Sequence, residues 1–273
     1  MATRQLIKLS EISTEAPKGL KKKDVAEETE RLVKRFGELH HLLYAEGKHS
    51  VLVIFQGMDA SGKDGAVRRV FRDCTIAGLD LVSYKKPTEL EMAHDFLWRV
   101  HKVAPRKGDF GVFNRSHYED VLVVRVHDLA PKSVWKERYG HINDFEELLV
   151  ESGTIVLKFF LHISKEEQKK RLIEREQDER TAWKLNVGDW KTREKWKDYQ
   201  EAYADALRKT ATQRAPWHIV PANNKWFRNL AIAEAIVETL RPYRKTWRKQ
   251  LDDIGTRARN DLDMYRQQRS DQK

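Results

Sequence analysis

Residues 51–65 read VLVIFQGMDASGKDG, and this stretch restricts the fold more than any other part of the chain. Val51 to Phe55 are five consecutive bulky or β-branched apolar residues, the pattern of a strand buried on both faces of a parallel sheet. Gly57 follows, then four residues, then Gly62-Lys63, after which the sequence turns helical. Strand, glycine-bounded loop and helix start, in that order, make a phosphate-binding loop. Its glycines let the backbone curl until N–H groups point at phosphate oxygens, and the helix N-terminus adds partial positive charge. Gly57, Ala60, Ser61, Gly62 and Gly65 are the positions expected against phosphate, with Lys63 adding a full charge. The hydroxyl residue that ordinarily follows the lysine is missing. Asp64 stands there, and Asp59 sits inside the loop.

Further strands are expected at 80–84, 109–113, 154–163 and 217–221, with helical patterns between them. That alternation predicts an α/β fold, a parallel sheet of about five strands with helices on both faces. Helical stripes run through 24–47 (Leu32, Phe36, Leu39, Leu43), 132–151 (Trp135, Tyr139, Ile142, Phe145, Leu149) and 190–208 (Trp196, Tyr199, Tyr203, Leu207). Gly188-Asp189 is the expected N-cap of the last. The chain divides into a polar arm at 1–22, a domain at 23–242 and a basic tail at 243–273, read as a mobile or partner-dependent helix. Within the domain, 164–198 is dense in Lys and Arg and holds three tryptophans. Its position fits a helical lid that closes over phosphates. A solvated hairpin with its charges facing water is the alternative.

Lys and Arg number 52 against 42 Asp and Glu, a net charge of +10, which favours a polyanionic partner: nucleic acid, nucleotides, polyphosphate or an acidic membrane. Cys74 is the single cysteine, so no intrachain disulfide forms. No apolar run approaches the roughly 20 residues that span a bilayer. The N-terminus lacks an apolar signal core, and a cytoplasmic protein is expected.

Two more segments carry chemistry. In DFGVFNRSHYEDVLVVRV (109–126) a short strand ends at Asn114, where a Walker B strand would place an acidic Mg2+ ligand. Arg115 follows at the strand's C-terminal end, which faces the ligand crevice in open α/β sheets. A guanidinium there suits developing phosphoryl charge; a surface salt bridge is the plainer reading. Arg125 sits in an apolar run and serves either as a phosphate contact or as a structural ion pair. In KPTELEMAHDFLWR (86–99), Thr88 and Glu91 form a capping box and Arg99 lies further along. His94 and His101, seven apart on one helical face, show no metal-ligand pattern and read as ordinary surface or packing residues.

With GMDASGKDG, PTELEMAHDFLWR, FNRSHYEDVLVVRV and the basic WK…GDW segment in one order, the chain resembles the polyphosphate kinase 2 family over about residues 30–242. The resemblance implies a P-loop kinase fold, an inorganic polyphosphate donor, Mg2+ (with Mn2+ as a substitute) and nucleotide acceptors, in a homodimer or homotetramer without membrane or nucleic-acid partners. The Asn114-Arg115-Ser116-His117-Tyr118-Glu119 block looks like the subfamily that acts on both AMP or GMP and ADP or GDP, yielding nucleotides up to ATP. Arg171, Arg175 and Lys184 carry over as lid cations by approximate position.

The expected chemistry is positioning and charge neutralisation, because an acceptor phosphate with a second pKa of roughly 6 is already ionised at neutral pH. Lys63 and the loop amides would hold the donor. Asp59, with Asp64 and Glu119 as further candidates, would bind Mg2+. Arg115 and a lid arginine would stabilise the transferring group. Two rival readings remain at this stage. An ATP-dependent nucleotide kinase of the thymidylate type would need no polyphosphate. A basic P-loop protein that binds nucleic acid would transfer nothing, and the chain lacks an RNA-recognition or helix-turn-helix signature.

Overall fold

The computed structural model describes residues 7–270. In chain order the elements are α1 (Lys22–Glu46), β1 (Ser50–Gln56), α2 (Lys63–Val70), β2 (Leu79–Ser83), α3 (Glu89–Met92), α4 (Trp98–His101), β3 (Phe110–Asn114), α5 (Val123–Val126), α6 (Lys132–Glu151), β4 (Thr154–His162), α7 (Lys165–Gln177), α8 (Val187–Glu194), α9 (Trp196–Thr210), β5 (Trp217–Pro221), α10 (Lys225–Leu240) and α11 (Arg244–Ser270). The five strands form one parallel sheet in the order β2-β3-β1-β4-β5. β1 lies at its centre and every one of its residues is buried, as the apolar run at 51–55 required. All five expected strands are present, within a residue or so of their expected bounds. Parallel neighbours place every strand's C-terminal end on one edge of the sheet. The loops after β1 and β3 meet there, joined by a hydrogen bond from the Arg115 amide to the Phe55 carbonyl (3.0 Å).

Helices cover both faces. α1, α2 and α10 pack together, while α6 packs on β4 and α9. α6 has the bounds its stripe predicted, burying Trp135, Tyr139, Ile142 and Phe145. The expected helix at 190–208 is two helices that meet at Lys195. Asn186, rather than Gly188-Asp189, caps the first by accepting from the Gly188 amide (2.8 Å). The capping box forms as expected, from Thr88 N to Glu91 Oε2 (2.8 Å) and Glu91 N to Thr88 Oγ1 (3.2 Å). The helix it starts is only four residues long, however, so His94 and His101 share no helical face. His94 stacks on Trp98 and His101 meets the Phe145 ring edge.

Both flanking segments are tied to the domain. In the N-terminal arm, of which residues 1–6 lie outside the described residues, Leu9 is buried. Its carbonyl bonds His162 Nε2 (3.0 Å), and the Asn223 amide donates to Thr14 O (3.0 Å). The tail is one long helix, of which 271–273 lie outside the described residues. Trp247 is fully buried, with its indole N–H on His49 (3.3 Å), so the first turns of α11 belong to the core. From Asp252 onward nearly every side chain faces solvent.

Candidate active site

The loop after β1 is held by its carbonyls. Lys63 Nζ donates to the carbonyls of Gly57 (2.8 Å) and Met58 (3.2 Å). Gln168 Nε2 donates to Asp59 O (3.1 Å). Arg171 Nη1 donates to Ala60 O (3.1 Å) and Ser61 O (3.0 Å), and Arg228 Nη1 donates to Gly62 O (3.1 Å). Every carbonyl from Gly57 to Gly62 is thus engaged by a side chain. With the carbonyls fixed in this way, the amides of the curl other than that of Ser61, which bonds the Met58 carbonyl (3.1 Å), suit anions. Two glycines are required by space as well as by backbone. At Gly57 (φ +150°) a Cβ would stand 2.7 Å from the Leu161 carbonyl, and at Gly62 (φ +96°) it would overlap the Arg228 guanidinium. Ala60 adopts φ +60° without being glycine, a strained conformation that the engaged carbonyls on either side hold in place.

Arg115 shares that strain, also at φ +60°. The turn after β3 holds it: Ser116 Oγ accepts from Gln56 Nε2 (3.1 Å) and from the Tyr118 amide (3.2 Å). Beneath lies a fully buried ion pair, Lys158 with Glu146 (2.5 Å). Glu146 also accepts from the Tyr118 hydroxyl (2.7 Å), and Lys158 donates to Thr210 O (2.7 Å). The Arg115 guanidinium turns to the loop and pairs with Asp59. The carboxylates of Glu119 and Asp59 keep it charged despite the burial that opposes its charge. Burial pushes the Glu119 carboxyl up, against the pull of Arg115 and Lys63. Burial, helped by the Arg115 charge, lowers the Lys63 ammonium to about 8, while Asp59, Glu119 and Asp64 act to restore it. Four expected residues, Asp59, Lys63, Arg115 and Glu119, therefore form one electrostatic cluster.

The other expected residues fall into different roles. Asp64 accepts from Asn114 Nδ2 (2.6 Å) and from Lys184 Nζ (2.8 Å). Burial raises its carboxyl, and those two partners more than offset this, leaving it below the usual range. Lys184 is thus a lid cation seated on the start of α2. Arg175 pairs inside the lid with Asp189 (2.7 Å). Arg125 is a structural pair, bonded to Asp205 on α9 (2.8 Å) and stacked over Trp135. The largest departure is Arg171. Its five N–H groups make five bonds: two to the loop, one to Glu167 (2.7 Å), and two to the carbonyls of Ala222 (2.6 Å) and Asn223 (2.8 Å). No donor is left for a phosphate. Arg171 bolts the loop to α7 and to the turn after β5, and is not a mobile lid cation.

Two features escaped the sequence reading. Arg228, only 3% exposed, sits behind Gly62, and burial with the nearby Arg171 charge lowers it to about 10. Nothing in its surroundings in the sequence marks it out. Lys158 had a signal, a lysine inside the apolar run TIVLKFFLH, which calls for a buried partner.

The chain matches the family model described as polyphosphate kinase 2 over residues 19–248. The chain belongs to the polyphosphate kinase 2 family. It is 53% identical over 209 residues to the AMP/ADP-polyphosphate phosphotransferase of Meiothermus ruber, covering 77% of this chain and 78% of that protein. It is 42% identical over 220 residues to the ADP-polyphosphate phosphotransferase of Rhodopseudomonas palustris, covering 76% of each. The crystal structure of polyphosphate kinase 2 from Arthrobacter aurescens TC1 superposes with a TM-score of 0.82 at 42% identity, over 86% of this chain and 85% of that one. The sheet, the P-loop and the lid described above are therefore this family's kinase fold, as the sequence resemblance implied. Among the described residues no helix is long and apolar enough to cross a membrane.

Proposed function

We propose that this chain transfers a phosphoryl group from inorganic polyphosphate to the terminal phosphate of AMP and ADP, with GMP and GDP as further acceptors. The observation that carries the reading is the loop itself. Four side chains engage its carbonyls, and Lys63 and Arg115 add positive charge beside it, an arrangement suited to a chain of phosphates. Its family relatives are named for the same donor and for AMP or ADP.

The residues do the following. Loop amides bind the donor's terminal phosphates and align them with the acceptor, while Lys63, whose ammonium bonds Gly57 O, Met58 O and Ser61 Oγ (3.5 Å), adds positive charge beside them. The acceptor oxygen is already anionic, so no side chain need remove a proton from it. Arg115, held at its strained turn, neutralises charge on the three equatorial oxygens of the group in flight. Lys184 holds the lid over the crevice and excludes water, which would otherwise compete as acceptor.

Among the described residues no three His, Cys, Asp or Glu side chains form a ready metal cage. Mg2+ is commonly held by one or two carboxylates with phosphate oxygens and water completing the shell, and Asp59 and Glu119 beside Lys63 fit that donor set. Asp64, committed to Asn114 and Lys184, fits it less well. When bound there, Mg2+ would neutralise phosphate charge.

Donor exchange tests the reading. With AMP as acceptor and Mg2+ present, ADP should form with polyphosphate as sole donor. Turnover with ATP alone, and none with polyphosphate, would favour the thymidylate-type kinase instead.

A further inference from the structure

Arg171 and Arg228 brace the same loop, yet their surroundings differ. Arg171 uses all five N–H groups and has a carboxylate, Glu167. Arg228 makes three hydrogen bonds: one to Gly62 O and two to the side-chain oxygen of Asn229 (3.1 and 2.8 Å). Two of its N–H groups have no partner among the described residues, and no carboxylate pairs with it there. A buried cation without a counter-ion is costly, and a nearby bound anion would relieve that cost. Its guanidinium lies against Gly62 and within 3.4 Å of where a Cβ would stand on Gly65, so it faces the loop where α2 begins.

Asn229 connects this arginine to a groove. The groove is a cavity of about 400 Å3 between the starts of α1 and α10 and the end of α2, lined by Lys22, Thr29, Arg69, Lys225, Trp226 and Asn229 among others. Lys22 and Lys225 are exposed, and neither forms an ion pair among the described residues. Arg69 shares Glu30 with Arg72. Three cations thus surround one cavity that adjoins, through Asn229, a buried cation behind the phosphate loop.

We propose that the groove lined by Lys22, Arg69 and Lys225 binds the distal part of a long polyphosphate donor, beyond the phosphates held by the loop, with Arg228 as the buried charge at the junction. This rests on the donor being polyphosphate. It moves the dependence on chain length from the lid, where Arg171 has no donor to offer, to the face of α1 and α10. A chain of phosphates carries about one negative charge per unit, so several weak, salt-screened contacts add along it. A donor of three or four phosphates held at the loop has fewer charges left for a second contact than a long chain has.

The test compares wild type with Lys22→Glu/Lys225→Glu, using tetrapolyphosphate and a chain of about a hundred phosphates, each at saturating ADP. As a control for net charge, Lys132→Glu/Lys136→Glu makes the same change on α6, which packs on β4 and α9 rather than with α1, α2 and α10. The groove variant should raise KM for the long donor on the order of tenfold and shift KM for tetrapolyphosphate by less than about twofold. The control should change both donors alike and little. Equal changes for both donors in the groove variant, no change for either, or the same selective loss in the control would each overturn the inference. Failure of the functional reading looks different: wild-type protein would then use neither donor.

Discussion

The loop and the lid close on the same crevice but are built in opposite ways. From Gly57 to Gly62 each backbone carbonyl accepts from a buried or half-buried side chain, and the donors come from α2, α7 and α10. Of the segment 164–198 expected as a lid, the first turns of α7 brace the loop through Gln168 and Arg171, and only the remainder, from the end of α7 through α8, stands apart, showing solvent Trp183 (78% exposed) and Val187 (71%). It reaches the loop through one polar contact among those described, Lys184 to Asp64. An exposed contact of that kind is worth roughly 0–1 kcal/mol, whereas a buried hydrogen-bonded charge is costly to disturb. On the proposed function, the part that would hold phosphate is therefore fixed before the donor arrives, and the part that would cover it is held weakly enough to open for entry and release.

Substitutions can break this contrast, and the largest effect belongs to the loop. Lys63→Ala removes the cation bonded inside the curl and should lower kcat about a thousandfold. Gly57 and Met58 would lose their donor to water, so the fall in melting temperature should be modest. Near-normal turnover in steady-state assays would mean that the loop does not hold the donor.

Asp59→Asn should follow, with kcat down about a hundredfold and a higher Mg2+ concentration at half-maximal rate. It also loosens Arg115, so a fall in kcat at unchanged Mg2+ dependence would assign Asp59 to positioning that guanidinium alone.

Arg171→Ala tests the brace. Four backbone carbonyls and Glu167 lose a buried donor, and stability should drop by about 3 kcal/mol, read as the denaturation midpoint in urea. A variant as stable as wild type, but impaired only with long donors, would return Arg171 to the phosphate-binding set. Lys184→Ala sits at the other end. Stability should be unchanged, and kcat should fall a few-fold as the closed lid becomes less populated. If Lys184→Ala unfolded the protein, the lid would have to count as structure rather than cover.

The sequence was most legible where one local rule decides. Five buried apolar residues before Gly57 announce a central strand, and the apolar stripe of 132–151 announces α6 to the residue. That Asp59, Lys63, Arg115 and Glu119 lie together was legible because motif spacing puts them on two loops that parallel strands bring to one edge. What stayed hidden depends on long-range contact. Arg171 lies in a lysine- and arginine-rich helix, and nothing local distinguishes it from its solvated neighbours. Only the turn after β5, about fifty residues on, reveals that its donors are spent. Arg228 is similarly silent, because its reason for being there is a glycine 166 positions earlier. The tail misled for a related reason: one tryptophan, Trp247, anchors a helix whose composition is otherwise that of a solvated arm.

The most direct test of the account is a time course of the wild-type protein with AMP, long-chain polyphosphate and Mg2+ as the only substrates, followed by phosphorus NMR. The proposed transfer from polyphosphate to both AMP and ADP predicts that ADP appears first and ATP follows, both drawing phosphate from polyphosphate. Accumulation of ADP without ATP would contradict the two-acceptor reading, and no transfer at all would contradict the account from the loop upward.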